Sequence, residues 1–200
     1  MIIGISGHMG SGKDTIAKML SYILFKMKPE YPSYYNFVYW ANCNTAPYIV
    51  PFAKNIKLIT SKLIGCNESD LYDQDFKKLQ ITWITGSPTV RKILQDVGII
   101  FREKIDPDIW IKSLFKITEN EDHVIIPDVR FINEADAIKK RGGLLIRINR
   151  PGKNGDGHIS ETSLDNYKDF DYIIENDGEL DELFHKVKNI GINIHDRLSN

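Results

Sequence analysis

Cysteine is nearly missing from this 200-residue chain, which carries only Cys43 and Cys66. Two cysteines without metal-ligand spacing give neither a disulfide framework nor a zinc site, and a reducing, cytoplasmic compartment is the expectation. The five histidines are scattered, with no H-x-x-x-H pair. Neither sign of charge is in excess: 26 Lys and Arg face 27 Asp and Glu, a net charge of −1. That balance argues against a chain-wide nucleic-acid or membrane surface, while leaving room for a small basic pocket. No apolar run approaches the ~18 residues of a membrane span. The first residues lack a basic n-region and a long apolar h-region. There is no internal repeat and no low-complexity tract. What remains is an ordinary globular composition, 42% hydrophobic and 26% charged, at a length that suits one domain with a lid or insert.

Apolar runs alternate with helix-period segments, the pattern of an α/β protein with a mostly parallel sheet of five strands. Strands are expected at Ile2–Ser6, at "YIVPFA" (48–53), "HVIIPD" (123–128), "LLIRINR" (144–150) and "DYIIEN" (171–176). Ile16, Leu20, Ile23, Leu24 and Met27 recur at helical spacing before Pro29. Residues 29–47, rich in Tyr, Asn and Pro, read as irregular, and 66–88 are ambiguous. Further helices are expected around Ile56, Ile59 and Leu63 up to Gly65, over "TVRKILQDVG" with Gly98 as its stop, from "DPDIWIKSLFKIT", over "INEADAIKKRGG", and across Leu180, Leu183, Phe184 and Val187. The organisation expected is a single domain. Its core lies at about 1–27, 48–65, 120–150 and 170–195, with a helical region at about 66–119 and a lid at about 150–165.

The densest signal is "GHMGSGKDT", residues 7–15, directly behind the first apolar run. Gly7-x-x-x-x-Gly12-Lys13 between a strand and a helix has the spacing of a phosphate-binding P-loop. Glycines let the backbone curl so that successive N–H groups converge on phosphate oxygens. The helix that follows adds its positive dipole end, and Lys13 a point charge. Ser or Thr usually follows the lysine and binds Mg²⁺. Here Asp14 intervenes, so the metal is assigned to Thr15. Asp14 either orients the metal's water, sits near an acceptor phosphate, or is a first-turn acid favoured by the dipole.

A second set of candidates lies elsewhere. "IIPDVR" puts Asp128 and Arg130 at the carboxyl end of a strand, where ligands of open α/β sheets bind. Asp128 then holds magnesium through water or contacts an acceptor sugar, and Arg130 meets phosphate; the bland alternative is a surface ion pair. Lys57, Lys77, Lys78, Arg91, Lys92, Arg102, Arg147 and Arg150 recur at element ends. Arg91 and Arg102 flank Gln95 and Gly98 and precede Trp110. An arginine with a tryptophan can sandwich a base; the alternative reading of Trp110 is core packing on its helix. "RPGKNGDGHISE" has the glycine density of a closing lid, in which His158 and Glu161 serve either the lid's own hydrogen bonds or chemistry.

With these pieces in order, the chain resembles deoxynucleoside monophosphate kinases of tailed bacteriophages and large viruses. The resemblance rests on "SGHMGSGKDT", "PFAKNIK", "LYDQDFKK", "TVRKILQDVG" leading to "DPDIWIK", "PDVRFINEA", "RINRPG", "HISET" and "ENDGELDELF". It covers nearly the whole chain apart from 28–47. It implies the P-loop kinase fold and transfer of phosphate from ATP, with Mg²⁺, to a deoxynucleoside monophosphate. Gly10, Ser11, Gly12, Lys13, Asp14 and Thr15 then form the ATP site, with Arg150 on the lid side. Ile56 and Lys57 line the acceptor site together with Gly98. Arg91 or Lys92, with Trp110, holds the base. Asp128, Arg130 and Glu134 contact the acceptor or the reacting phosphates, and Lys13, Asp128 and Arg130 carry the chemistry. A homodimer is what the resemblance suggests, with no nucleic-acid or membrane partner.

Two departures bear on base preference. Ile99 stands where such kinases often have threonine, and His8, Met9 and Gly10 replace basic residues of some relatives. The alternatives are another P-loop small-molecule kinase, of phosphomevalonate or dephospho-coenzyme A type, and a nucleotide-binding regulator without turnover.

Overall fold

The computed structural model describes residues 1–25, 33–43, 48–153 and 162–199. It divides into two compact units, Met1–Pro51 with Asn120–Asn200, and Phe52–Glu119.

The first unit is a parallel sheet of four strands: β1 (Ile2–Gly7), β2 (Val124–Val129), β3 (Leu144–Asn149) and β4 (Tyr172–Glu175), in the order β2-β1-β3-β4. Ile3 and Ile5 of β1 are fully buried beside α1 (Lys13–Phe25), as are Ile146 and Ile148 of β3. The intervening Gly4 faces the other way. A Cβ there would come within 2.7 Å of Ile138 Cδ1 and 2.8 Å of Leu145 Cδ2, so α6 (Ile132–Lys139) packs hard on that face. Burial on both faces is why these strands read as continuous apolar runs. The last helix, α7 (Leu180–Ser199), buries Leu183, Phe184, Val187 and Ile194 in the same core as α1.

Two expectations for this unit are corrected. Among the described residues the sheet has four strands rather than five. At 48–53 only a single parallel bridge forms, Ile49 to Ile125, flanked by Ile125 N–H to Tyr48 O (2.7 Å) and Val50 N–H to Ile125 O (2.9 Å). The next rung of a parallel ladder would take an N–H from residue 127 to Val50 O, and Pro127 has none to give. Within 29–47, Tyr34–Cys43 is a helix, α2, rather than irregular. Tyr34, Phe37 and Trp40 share one face. Phe37 lies 5.7 Å from Tyr22 and 5.5 Å from Phe184 between ring centroids, and Ser33 Oγ accepts the Asn36 N–H to start the helix.

The second unit is helical. It comprises α3 (Lys54–Ile64), short 3₁₀ turns at Glu68–Tyr72 and Phe76–Lys78, α4 (Val90–Lys104) and α5 (Ile109–Ile117). Gly65 caps α3 at φ 73°, in the left-handed region, as the sequence reading expects. Thr89 Oγ1 accepts the Lys92 N–H at the start of α4. Gly98, expected as a stop, lies inside α4, which runs on to Lys104. It is buried there, with Ile56 Cδ1 3.4 Å from where its Cβ would stand. It is a packing glycine, not a cap. Phe52, Leu71, Val90, Ile93, Val97, Trp110, Ile111 and Leu114 form the interior. Among the described residues, no helix is long and apolar enough to cross a membrane.

Candidate active site

Because all strand pairs are parallel, the carboxyl ends of four strands open on one edge of the sheet. Four segments with polar side chains lie at that edge: the glycine-rich loop after β1, Asp128–Arg130 at the end of β2, Arg147–Arg150 at the end of β3 and Asn176 after β4. A crevice at this edge is where open α/β sheets place their ligands.

The loop leads straight into α1. Gly10 and Gly12 have φ of 77° and 101°, and the Ser11 N–H returns to His8 O at 3.1 Å. Lys13 Nζ donates to His8 O at 2.7 Å and to Gly7 O at 2.5 Å, so the ammonium stands over the loop's own carbonyls. Thr15 is half-buried in the first turn and Asp14 is exposed. Ser11 is 1% exposed, and its hydroxyl has no hydrogen-bond partner among the described residues. Arg150 donates to Gly10 O at 3.3 Å, placing that cation at the loop's crown.

Beneath the loop is a polar cluster that sequence reasoning did not single out. Arg147, 9% exposed, donates to Ser6 Oγ (3.2 Å) and Asp165 Oδ1 (2.7 Å), and stands 3.3 Å from His8 Nε2. Asp165 Oδ1 is also 3.3 Å from that imidazole. On the other flank the buried Asn176 amide donates to Ser11 O at 2.8 Å. The available clue was an arginine in the middle of an otherwise apolar strand, "LLIRINR".

At β2 the chain register shifts around Pro127: Gly4 pairs with Ile126, but Ser6 pairs with Val129. Asp128 and Arg130 are half-buried at this end of the strand. Glu134 is 1% exposed, and its carboxylate accepts the N–H groups of Arg130 (2.8 Å) and Phe131 (3.1 Å). It therefore fixes the turn that presents Asp128 and Arg130 while favouring the positive end of α6.

The segment that returns to β4 is tied down on the same unit. Tyr167 Oη donates to Asp136 at 3.1 Å, and burial followed by that acidic neighbour pushes its phenol up to about 12. Asp171 accepts from Lys139 Nζ at 3.0 Å and from the Leu145 N–H at 2.7 Å. His158 and Glu161 lie outside the described residues.

The remaining candidates belong to the helical unit. Lys57 Nζ stands 3.3 Å from the centre of the Tyr72 ring. Arg91 donates to Gln74 Oε1 at 2.9 Å, and Lys92 pairs with Asp96 one turn along α4. Ile56 is half-buried beside Gly98. Trp110 is 3% exposed; its indole N–H donates to Gly98 O at 2.9 Å and its ring lies 5.3 Å from Phe101. Arg102 donates to the same carbonyl at 3.2 Å. Lys57, Arg91 and Lys92 thus share one unit, while Trp110 is built into its interior.

Among the described residues, no group of three or more His, Cys, Asp or Glu side chains could hold a metal ion. The candidate oxygen donors are Thr15 and Asp14 in the first turn of α1 and Asp128 at the end of β2, of the kind that suits a hard cation keeping much of its own water.

A strand, a glycine-rich loop and a helix at the carboxyl edge of a parallel sheet flanked by helices define an α/β protein whose architecture is consistent with the P-loop kinases. Residues 45–187 match the model of the deoxynucleotide monophosphate kinase family, and the chain belongs to that family. It is 38% identical over 108 residues to the deoxynucleotide monophosphate kinase of Enterobacteria phage T4, a match covering 50% of this chain and 44% of that protein. A protein of Acanthamoeba polyphaga mimivirus, provisionally given the same name, is 29% identical over 205 residues, covering 94% of each chain. The deoxynucleotide monophosphate kinase of Escherichia phage RB69 is 25% identical over 143 residues, covering 68% of this chain and 58% of that one. The match therefore spans roughly half of the two phage proteins and nearly all of the mimivirus one.

Proposed function

We propose that this chain transfers the γ-phosphoryl group of ATP to a deoxynucleoside monophosphate. The glycine-rich loop is a P-loop in this reading. The observation that carries it is Lys13 poised over the carbonyls of Gly7 and His8, at the carboxyl edge of the sheet, in a chain of the deoxynucleotide monophosphate kinase family. An acceptor phosphate oxygen forms a bond to the γ-phosphorus while the bond to the β–γ bridging oxygen breaks, giving ADP and the deoxynucleoside diphosphate. Such a transfer needs positioning and charge neutralisation more than a base.

On the donor side, the amides of Gly10, Gly12 and Lys13 and the N-terminus of α1 bind the phosphates, and Lys13 exchanges its carbonyl partners for β- and γ-oxygens. Mg²⁺, when bound, neutralises part of that phosphate charge. Thr15 is its proposed ligand, with Asp14 and Asp128 acting through water. Arg150 and Arg130 carry positive charge to the reacting phosphates, and Glu134 sets Arg130's backbone. On the acceptor side, Lys57 meets the monophosphate while Arg91 and Lys92 meet the nucleoside beside Ile56 and Gly98. Trp110 contributes by holding the Gly98 carbonyl.

The test is ADP formation from ATP with a panel of deoxynucleoside and ribonucleoside monophosphates. Monophosphate-dependent turnover is expected. ATP use with none of them would overturn the reading.

A further inference from the structure

Asn176 closes β4 and has no part in the roles above. Its side chain crosses to the glycine-rich loop, where Nδ2 donates to Ser11 O at 2.8 Å in a buried environment. A carbonyl can only accept, so the amide is fixed with its NH₂ toward the loop. Its own N–H is bonded to Asn149 O at 2.8 Å, and the residue is 7% exposed. The neighbours hold this position from both sides. Asn149 Nδ2 donates to Glu175 Oε1 at 2.7 Å, and Lys186 Nζ reaches Glu175 O and Asp177 Oδ1, each at 2.6 Å. The fit against the loop is tight. A Cβ on Gly12 would stand 2.7 Å from Asn176 Nδ2, so Gly12, at φ 101°, leaves the space that this amide fills.

We propose that Asn176 is a positioning residue for the phosphate-binding loop: by tying down the Ser11 carbonyl it turns the Ser11–Gly12–Lys13 peptides so that their N–H groups face the phosphates. The proposal rests on the donor-side reading above. Its consequence is selective, because the loop meets the donor nucleotide and not the acceptor's base.

The experiment uses Asn176→Asp, which keeps the shape but sets a carboxylate oxygen against the Ser11 carbonyl, and Asn176→Ser, which keeps a shorter donor. Calorimetric titration with ADP gives a Kd that does not depend on turnover. KM for ATP, KM for the acceptor and Tm are measured beside it. Losing a buried donor while facing an acceptor corresponds to about a tenfold or greater rise in Kd for ADP and KM for ATP in Asn176→Asp. Asn176→Ser recovers part of that loss, and the acceptor KM stays within about twofold. An unchanged Kd for ADP in Asn176→Asp overturns the proposal even in an active enzyme. So does a lowered Tm with both KM values moving together, the mark of a merely structural role. A wild-type chain that binds ADP but phosphorylates no monophosphate would sink the functional reading and leave the Asn176 effect on Kd still decisive.

Discussion

Around their candidate site residues, the two units use charged and amide side chains in opposite ways. In the sheet unit Arg147, Glu134, Asn176 and Ser11 are each less than a tenth exposed, and the first three are bonded to groups of the site edge. In the helical unit the pairs Lys92–Asp96 and Lys116–Glu119, and the Arg91–Gln74 bond, lie at the surface on helix faces and turns. Buried hydrogen bonds in a low dielectric hold one geometry firmly, whereas exposed ion pairs contribute ~0–1 kcal/mol and exchange partners cheaply. On the proposed reading, a loop that meets the same polyphosphate each time suits the first arrangement. Cations that must turn from protein partners to a nucleotide suit the second.

That contrast can be broken first where the helical unit behaves like a core. Trp110→Ala removes a buried ring and its bond to Gly98 and should cost about 3–5 kcal/mol of stability, read as a large fall in Tm. A small fall, with a raised acceptor KM, would return Trp110 to the base-stacking role. Lys13→Ala should lower kcat by about 10²–10³ with little change in Tm, since the side chain serves charge rather than packing. Near-normal kcat would remove the loop from the chemistry. Arg91→Ala should raise the acceptor KM about tenfold, the scale of a hydrogen bond to a charged group, and leave the KM for ATP in place. Equal shifts in both KM values would mean that the surface cations do not discriminate between the two nucleotides.

The mildest test concerns Tyr167 in the sheet unit. Its folded phenol is raised to about 12, above the ordinary value near 10. The folded state therefore keeps this proton longer than the unfolded chain. The stabilisation is complete below about pH 10 and is lost as pH rises toward 12. Tyr167→Phe should lose about 1 kcal/mol at neutral pH and show a flatter decline across that window in denaturant titrations. An unchanged decline would show that neither burial nor the Asp136 contact holds the phenol in its protonated form.

Much of the sheet unit was legible because local sequence carries it. Continuous apolar runs flag strands buried on two faces, and the glycine-rich loop between strand and helix is a local pattern. What escaped depends on distance along the chain. Arg147 and Asn176 are defined by partners 141 and 165 residues away, Ser6 and Ser11. Gly98 looks like a helix stop until Ile56 and Trp110 are seen against it. At 48–53 the apolar run was real but Pro127, distant in the chain, has no N–H to continue its pairing, and in α2 a composition of Tyr and Asn hid an aromatic face at helical spacing. Trp110 was ambiguous for a simple reason: packing and stacking ask for the same residue.

The central claim is that this chain moves phosphate from ATP to a deoxynucleoside monophosphate. Its most direct measurement follows label from the γ-phosphate of ATP into products, with wild type and Lys13→Ala compared over each of the common deoxynucleoside monophosphates. The account predicts label in a deoxynucleoside diphosphate for wild type, dependent on Mg²⁺ and lowered about 10²–10³ in the variant. Label released only as inorganic phosphate, or equal transfer by both proteins, would contradict it.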